Sequence, residues 1–432
     1  MRCSSTMRSL LMRFRILPCL LAMSATSFPQ PPAGTNFDES KVPPYRLPDP
    51  LLMADGRKVR TVRQWEKIQR PALYRLFEEN VYGRYPTRKI SLHWTTMESG
   101  KWPVDTSILR KVVRIRFGDD PKDTATDAAF IDLLLFLPAN ASGPVPVFLG
   151  YNFQGNAKVG KDESWPVREI LSQGIGLATA WYEDVEPDNA EGWKTGIRGR
   201  LQKMLAIKPE EWSALGAWAW GLSRIMDYLE KDPAVDAHRV ALMGHSRLGK
   251  AALWAGASDR RFSIVISNES GEGGAALSRR IYGETIRNLN ERFPWWFTPG
   301  YKKYNDHADS LPVDQHELLA LQAPRPLYVA SAEEDRWSDP KGEFTSAVGA
   351  GEVYALFGKP GIGTDSFPPL HQPVGQTIRY HIRAGKHGVT LYDWQQYLAF
   401  AERQWGKFRR DHRQKISQEE LSKGIHISLV FM

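Results

Sequence analysis

The segment from Val240 to Ala255 constrains the fold of this chain more than any other. An apolar run leads into Gly244-His245-Ser246, and an Ala- and Leu-rich helical pattern follows at once. This order predicts a buried strand, a sharp turn, and a helix whose N-terminus exposes a serine hydroxyl. Gly244 spares the turn a Cβ, and the N–H groups of the helical turn can face an anionic oxygen. We therefore predict a nucleophilic serine, Ser246; a helix-capping serine is the alternative.

Apolar, β-branched segments alternate with helical patterns along most of the chain, which favours a mostly parallel sheet covered on both faces. The expected architecture is an α/β-hydrolase three-layer sandwich, with one catalytic domain at residues 46–412 between an extended lead-in at 28–45 and a C-terminal extension at 413–432 to which we assign no role. Strands are expected at 112–117, 129–137, 145–151, 176–181, 240–243, 263–267, 326–332 and 353–357, with a further strand-like region at 377–382. Helices are expected at 63–82, 163–173, 211–230, 249–257, 341–348 and 391–408.

The N-terminal 27 residues carry four arginines, then a short apolar run, then small residues. This order is typical of a secretory signal peptide, and the apolar run is too short to span a bilayer. A frayed helical tail is the alternative. Both cysteines, Cys3 and Cys19, fall inside this segment, so the mature protein is expected to hold no disulfide. A secreted or periplasmic location follows.

The formal net charge of +8 does not indicate nucleic-acid binding. Residues 1–27 hold four arginines and no acidic residue, and residues 409–432 hold five basic and three acidic residues. The body of the chain is therefore nearly neutral, without the basic surface that such binding requires.

A serine nucleophile needs a base, and His387 is the preferred candidate. It follows the strand-like region 377–382, lies between Gly385 and Gly388, and is late in the chain, as the histidine of an α/β-hydrolase is. Five other histidines compete: His245, His307, His316, His371 and His381. Neighbouring residues of a sharp turn point apart, so His245 is expected to pack rather than to act as the base.

The form Gly244-x-Ser-Arg-x-Gly249 departs from the usual G-x-S-x-G pattern, because Leu248 stands at the position of the second glycine. This variant resembles the elbow of the glucuronoyl esterases, carbohydrate esterase family 15. Three other segments resemble motifs of that family, in its order and at similar spacing: 217–224, 264–274 and 384–388. The resemblance runs from about Asn152 to Trp405 and is closer to the bacterial members, since the fungal ones carry disulfides.

Two residues are candidates for the acid that orients His387. Asp335 follows the strand 326–332, the usual place in hydrolases, whereas Glu269 stands where fungal members of the family keep theirs. We prefer Asp335 and expect both near His387. The nearby acids Glu272, Glu333 and Glu334 are expected to be solvated.

The resemblance implies further roles around Ser246. The backbone N–H and the side chain of Arg247 would stabilise an oxyanion, and the loop 150–156 is either a second donor or a simple glycine turn. Lys250 and Glu284 match residues that the family uses on sugar hydroxyls. Trp337 offers a flat apolar face to a pyranose ring, with Trp295 and Trp296 as further candidates.

The function that the resemblance implies is hydrolysis of (4-O-methyl-)D-glucuronic acid esters, such as those that link glucuronoxylan to lignin. Arg247 and Lys250 would suit the acidic sugar product. No metal or organic cofactor, no nucleic-acid partner and no membrane span are expected, and a monomer is predicted. Three alternatives stay open: an acetyl-xylan or other carbohydrate esterase, a non-catalytic carbohydrate-binding protein on the same fold, and a serine peptidase.

Overall fold

The computed structural model describes residues 31–118, 129–161 and 163–406. The predicted signal peptide, both cysteines and the extension 413–432 lie outside these residues. Ten strands of the described part form one sheet. They are β1 (Leu92–Trp102), β2 (Asp105–Phe117), β3 (Phe130–Pro138), β4 (Val145–Asn152), β5 (Gly176–Trp181), β6 (Val235–His245), β7 (Ile264–Asn268), β8 (Leu327–Ala332), β9 (Val374–Gly375) and β10 (Ile378–Arg383).

The strand order across the sheet is β1-β2-β3-β5-β4-β6-β7-β8-β10-β9. The six strands from β5 to β10 in this order are mutually parallel, while β1, β2, β3 and β9 pair antiparallel at the two sides. The central strands are apolar on both faces, as covered parallel strands must be.

Helices cover both faces of the sheet. The α-helices are α1 (Val62–Gln64), α2 (Arg70–Phe77), α3 (Val167–Ser172), α4 (Tyr182–Val185), α5 (Gly192–Thr195), α6 (Ile197–Arg200), α7 (Gln202–Leu205), α8 (Ala214–Leu229), α9 (Arg247–Ser258), α10 (Ile286–Arg292), α11 (Gln315–Ala320), α12 (Pro340–Leu356) and α13 (Leu391–Trp405). The π-helical turns Trp65–Gln69 and Glu78–Tyr82 join α1 and α2 into one run. Short 3₁₀ turns lie at Glu39–Lys41, Asn156–Lys158, Pro209–Glu211, Ser278–Arg280, Pro299–Tyr304, Ala308–Ser310 and Arg336–Ser338.

Two apolar clusters, one on each face, form the core. Successive strand residues alternate between them, so Leu242 faces the cluster under α8, α9, α11 and α12, whereas Met243 faces the cluster under α3 and α13. These three layers confirm the architecture predicted from the sequence. Within the described residues, no helix is both long enough and apolar enough to cross a membrane.

Helix α9, which begins directly after Ser246, is fixed by an aromatic stack. The Trp254 ring lies between Tyr74 and Tyr82, at centroid distances of 4.8 and 4.7 Å and nearly parallel to both. Trp254 and Tyr82 are fully buried, and stacked rings of this size contribute strongly to packing. Helix α9 is therefore held, through Trp254, against the N-terminal helical run.

Two predictions of secondary structure were wrong. Residues 353–357 are not a strand but mostly the last turn of α12, which extends well beyond the predicted 341–348. A short apolar run is compatible with a buried strand and with a buried helix, and here the helix packs on α11. The long hairpin strand β1 was not predicted, because most of it is exposed and lacks an alternating apolar pattern.

Candidate active site

The turn at Ser246 has the strained geometry that the sequence predicts. Ser246 adopts φ 56° and ψ −131°, a conformation that L-residues rarely take, between the end of β6 and the start of α9. A Cβ at Gly244 would lie 2.1 Å from the carbonyl oxygen of Leu248, so only glycine fits there. A Cβ at Gly249 would lie 3.0 Å from Cβ of Ser270, which explains the displaced second glycine.

The candidate base and both candidate acids meet at the carboxyl ends of neighbouring parallel strands. His387 follows β10, Asp335 follows β8 and Glu269 follows β7. The His387 Nδ1 atom lies 2.6 Å from Oδ2 of Asp335 and 3.2 Å from Oε2 of Glu269. Both carboxylates are buried, and Glu269 is the second residue of the site with a positive φ, at 47°. The expectation that both acids lie near His387 matches this geometry.

The two acids differ in their other partners. Glu269 accepts hydrogen bonds from Nη2 of Arg383, at 2.7 Å, and from the backbone N–H of Gly388, at 3.0 Å. Arg383 is buried and also donates to Asp393 of α13. Glu269 is thus part of an ion-pair network behind the histidine loop.

The charges of this cluster are coupled. Burial lowers the pKa of His387, but the hydrogen bonds to Asp335 and Glu269 outweigh it and raise that pKa to about 10. Burial raises the pKa of Glu269 to about 7. Burial acts in the same direction on Asp335, yet the hydrogen bond from His387 leaves the pKa of Asp335 below its usual value. Asp335 is therefore the carboxylate that keeps its negative charge beside the imidazole.

His245 packs, as predicted, but it packs on the candidate base. Its ring centroid lies 4.5 Å from that of His387, and its Nδ1 lies 2.6 Å from Oδ1 of Asn268. Burial, followed by repulsion from His387, lowers the pKa of His245 to about 3. The neighbour of Ser246 is therefore a neutral imidazole, and it connects the serine turn to the His387 cluster.

Arg247 is held by a residue that the sequence did not indicate. Its Nη1 donates to Oδ2 of Asp188, and its Cζ lies 4.7 Å from the centroid of the Trp296 ring. Phe153, in the loop after β4, lies 5.8 Å from the same Cζ atom and is exposed. The loop 150–156 therefore borders the cation next to Ser246.

Lys250, Glu284 and Trp337 form one hydrogen-bonded unit. Lys250 Nζ donates to the carbonyls of Ser270 and Glu272 at 2.7 and 2.6 Å, and to Oε2 of Glu284 at 2.9 Å. The other carboxylate oxygen of Glu284 accepts from Nε1 of Trp337 at 3.0 Å. Since the Lys250 ammonium is buried and uses its three donors, the geometry fits it to positioning Glu284 rather than to direct contact with a sugar.

The other acidic side chains near the site differ in their exposure to solvent. Glu333 and Glu334 are exposed, as expected. Glu272 is not solvated: it is buried and accepts hydrogen bonds from Ser278 and Tyr301 at 2.8 and 2.7 Å. Burial raises its pKa to about 8. The prediction for Glu272 was wrong because its burial and its bond to Tyr301 depend on a later segment of the chain.

One group of side chains has the residue types that bind metal ions in proteins. Ligand atoms of Glu269, Asp335 and His387 all lie within 4.8 Å of one another. However, His387 Nδ1 already faces both carboxylates, and the Arg383 cation occupies the other oxygen of Glu269. These contacts fit an acid–histidine pair better than a cation site.

Comparison with known proteins places this geometry among carbohydrate esterases. The family model described as "Glucuronyl esterase, fungi" matches residues 125–358. A solved glucuronoyl esterase from Solibacter usitatus is 50% identical with a TM-score of 0.80, and the match covers 85% of this chain and 100% of that one.

Two characterised relatives extend the comparison. Carbohydrate esterase MZ0003, from an unknown prokaryotic organism, is 42% identical over 90% of this chain and 97% of the relative. The 4-O-methyl-glucuronoyl methylesterase 1 of Wolfiporia cocos (strain MD-104) is 28% identical over 79% of this chain and 81% of the relative.

Proposed function

Because the chain belongs to the glucuronoyl esterase family, carbohydrate esterase family 15, and is an ester hydrolase, we propose that it hydrolyses esters of (4-O-methyl-)D-glucuronic acid. The physiological substrate on this proposal is the ester that joins glucuronoxylan to lignin alcohols. The observation that carries the proposal is the 2.6 Å contact of His387 with Asp335 at the strand ends next to the Ser246 turn. The domain that acts is proposed to span residues 46–412.

The proposed reaction begins with proton transfer from the Ser246 hydroxyl to Nε2 of His387 as the serine oxygen attacks the ester carbonyl. Since Nδ1 of His387 donates to Asp335, the other ring nitrogen is the basic one. The guanidinium of Arg247 and the backbone N–H groups at the start of α9 stabilise the oxyanion. Collapse releases the alcohol, which takes the proton from His387.

The second half of the reaction uses the same groups. Water gives a proton to His387 and attacks the acyl-enzyme, and the free acid leaves as Ser246 recovers its proton. Neither step uses a metal or an organic cofactor. Asp335 stabilises the imidazolium that forms twice in the cycle, and its preserved negative charge suits that role.

We propose that Glu284 and Trp337 recognise the sugar and that Lys250 positions Glu284. Glu284 is only 8% exposed in its side chain, and the Trp337 indole that donates to it is half-buried. A carboxylate can accept from two sugar hydroxyls, and an indole face packs on axial C–H groups of a pyranose. This arrangement favours a carbohydrate ester over a peptide.

A second candidate function is hydrolysis of other carbohydrate esters, such as acetylated xylan. The broad name of the MZ0003 relative favours keeping this candidate. Preference for acetylated xylan over methyl glucuronate would establish it. Hydrolysis of a peptide bond would instead support a peptidase.

The decisive test is the Ser246→Ala variant with methyl glucuronate as substrate. We expect kcat to fall by about 10⁴- to 10⁶-fold, because the nucleophile is removed and only binding and the oxyanion donors remain. Ser310→Ala, on an exposed 3₁₀ turn, is the matched control and should keep full activity. Undiminished turnover by Ser246→Ala would exclude Ser246 as the nucleophile, and a wild type that never hydrolyses even a generic aryl ester would support the non-catalytic interpretation of this fold.

We further propose that the protein acts as a secreted or periplasmic monomer without nucleic-acid partners. A polymeric plant-wall substrate and the secretory pattern of residues 1–27 support this location. Cell fractionation with an antibody to the chain, together with light scattering of the purified protein, tests both statements.

A further inference from the structure

We propose that Asp188 is a positioning residue for the oxyanion: it fixes the guanidinium of Arg247 so that one edge faces the reacting ester. This inference rests on the proposed function, because it gives Arg247 the task of stabilising the developing negative charge. Asp188 lies in the segment between α4 and α5, after the carboxyl end of β5. That strand end opens on the same edge of the sheet as Ser246.

Four side-chain donors converge on this one carboxylate. Oδ1 of Asp188 accepts from the indole Nε1 atoms of Trp295 and Trp296, at 2.8 and 2.7 Å. Oδ2 accepts from Nη1 of Arg247 and from the Tyr182 hydroxyl at 3.3 Å, whose one proton is shared with Oε1 of Glu183 at 3.1 Å. The Asp188 side chain is only 4% exposed. A carboxylate with its lone pairs used in this way has a single orientation.

Trp296 holds the arginine from a second direction. The Trp296 ring stacks on Phe293 at 3.9 Å, and its centroid lies 4.7 Å from the Arg247 Cζ atom. The same indole donates to Asp188, so one side chain fixes both the cation and its counterion. An unrestrained arginine has many rotamers, and fixing it before the reaction removes that entropic cost from the transition state.

The bond to Asp188 uses only one part of the guanidinium. Nη1 is engaged and Nε is buried, whereas the arginine side chain as a whole is 22% exposed, which leaves Nη2 as the guanidinium donor open to a ligand. A charged donor that no protein group engages is available to a ligand, and an ester oxygen that becomes negative in the transition state would be a strong acceptor for it. Because Arg247 directly follows Ser246, this donor lies beside the proposed nucleophile.

The four donors also explain why a counterion does not cancel the effect of Arg247. Two of them are neutral indoles, and they offset part of the carboxylate charge without adding a cation. Asp188 can therefore hold the arginine while the arginine keeps a net attraction for an oxyanion.

The test is a double-mutant cycle on the full-length enzyme with methyl glucuronate: Asp188→Asn, Arg247→Gln and the double variant. Asp188→Asn keeps the shape and Oδ1 but removes the charge. We expect kcat to fall about 10- to 100-fold, part of the loss for a whole oxyanion donor, with KM within about threefold. In the Arg247→Gln background the same change should cost little, because its effect passes through Arg247. Asp184→Asn, whose carboxylate faces the backbone N–H of Asp132, is the matched control.

An additive cycle, with equal losses in both backgrounds, would overturn the proposal, as would unchanged kcat in Asp188→Asn. If Asp188→Asn does not fold, the double variant Trp295→Phe and Trp296→Phe removes both indole donors and keeps one aromatic ring at each position, and kcat should fall about 3- to 10-fold. Unchanged kcat there also overturns the proposal. A wild-type enzyme that hydrolyses 4-nitrophenyl acetate but not methyl glucuronate refutes the proposed substrate separately, and the cycle is then run on the aryl ester.

Discussion

At the scale of single residues, the arrangement that most affects the chemistry is one imidazole shared by two carboxylates. Asp335 lies closer to His387 Nδ1 than Glu269 does, and Glu269 also balances the Arg383 cation. The acid that is not neutralised by a second cation interacts more strongly with an imidazolium. We therefore expect Asp335 to dominate, with Glu269 adjusting the basicity of His387.

Replacing each acid by its amide separates these roles. Asp335→Asn should lower kcat about 10³- to 10⁴-fold, since the imidazolium loses its main partner, and Glu269→Gln only about 10-fold. The carboxylates hold the pKa of His387 above its ordinary value, and activity needs the neutral imidazole, so it is lost as the pH falls through that pKa. Removing the Glu269 charge lowers this pKa and should move the acid limb of kcat/KM down by about one pH unit.

The measurement is a pH profile of kcat/KM for both variants beside Glu333→Gln, an exposed acid close to Asp335 in sequence. A larger loss in Glu269→Gln than in Asp335→Asn would assign the main role to Glu269.

Sequence reasoning could name Ser246, His387, Asp335 and Glu269 as candidates because each stands at or shortly after the end of a strand. Parallel strands bring their carboxyl ends to one edge, so position along the chain was enough to predict their meeting. Asp188 had no such signal: its role depends on Trp295 and Trp296, more than a hundred residues away in sequence. Side chains that act through distant partners cannot be identified from local patterns.

At the scale of elements, Arg383 links strand β10 to helix α13 through its side-chain hydrogen bonds. This last residue of β10 donates to Glu269 and Asp393, and to the carbonyls of Ala384, Lys386 and Gly388 in the histidine loop. Nε2 of His381, on the same strand, also donates to Oδ1 of Asp393 at 2.9 Å. The loop that carries His387 is thus folded around one buried guanidinium.

Arg383→Met should destabilise the protein by about 3–5 kcal/mol, because it leaves two buried carboxylates without their cation. Urea unfolding followed by tryptophan fluorescence measures the change. Arg379→Met is the control on the same strand; that arginine is half-buried and donates to the carbonyl of Gly375, so its loss should cost about 1 kcal/mol. Equal costs for the two variants would contradict the buried-network explanation.

The prediction of secondary structure was correct for two short apolar segments that are bounded by turns. The segments 145–151 and 176–181 are apolar throughout and bounded by turns, and both are central strands. The run 353–357 has the same composition but lies at the end of a long helix, since α12 continues from the capping residue Asp339 without a break. Only the packing of α12 on its neighbours decides between the two, and that is not local information.

At the scale of the whole molecule, the lead-in is attached to the side of the site where we propose sugar recognition. Residues 36–41, here called the lead-in strap, cross the segment that carries Glu284. The carbonyl of Asn36 accepts from the N–H of Gly283 at 2.9 Å, and Glu39 pairs with Arg280 at 2.7 Å. Phe37 packs edge-on against Tyr282. The strap therefore holds the loop on which Glu284 stands.

The double variant Phe37→Ala and Glu39→Ala should loosen this loop and raise KM for methyl glucuronate about 3- to 10-fold, with kcat nearly unchanged. The expected loss is about 1 kcal/mol, a ring contact plus a half-exposed ion pair. Hydrolysis of 4-nitrophenyl acetate, which needs no sugar contacts, should not change. Asp38→Ala, whose carboxylate caps only Ser40 and pairs with Lys41, is the control; an equal rise in KM there would argue against the strap.

The four proposed catalytic side chains stand on four different strand ends, separated by most of the second half of the chain. A fragment that stops before β10 would contain the nucleophile without its base, and one that begins after Ser246 would contain the base without its nucleophile. Proteolytic nicking between them should consequently yield inert pieces instead of weak esterases. A partly digested preparation should therefore show a lower maximal rate with unaltered KM.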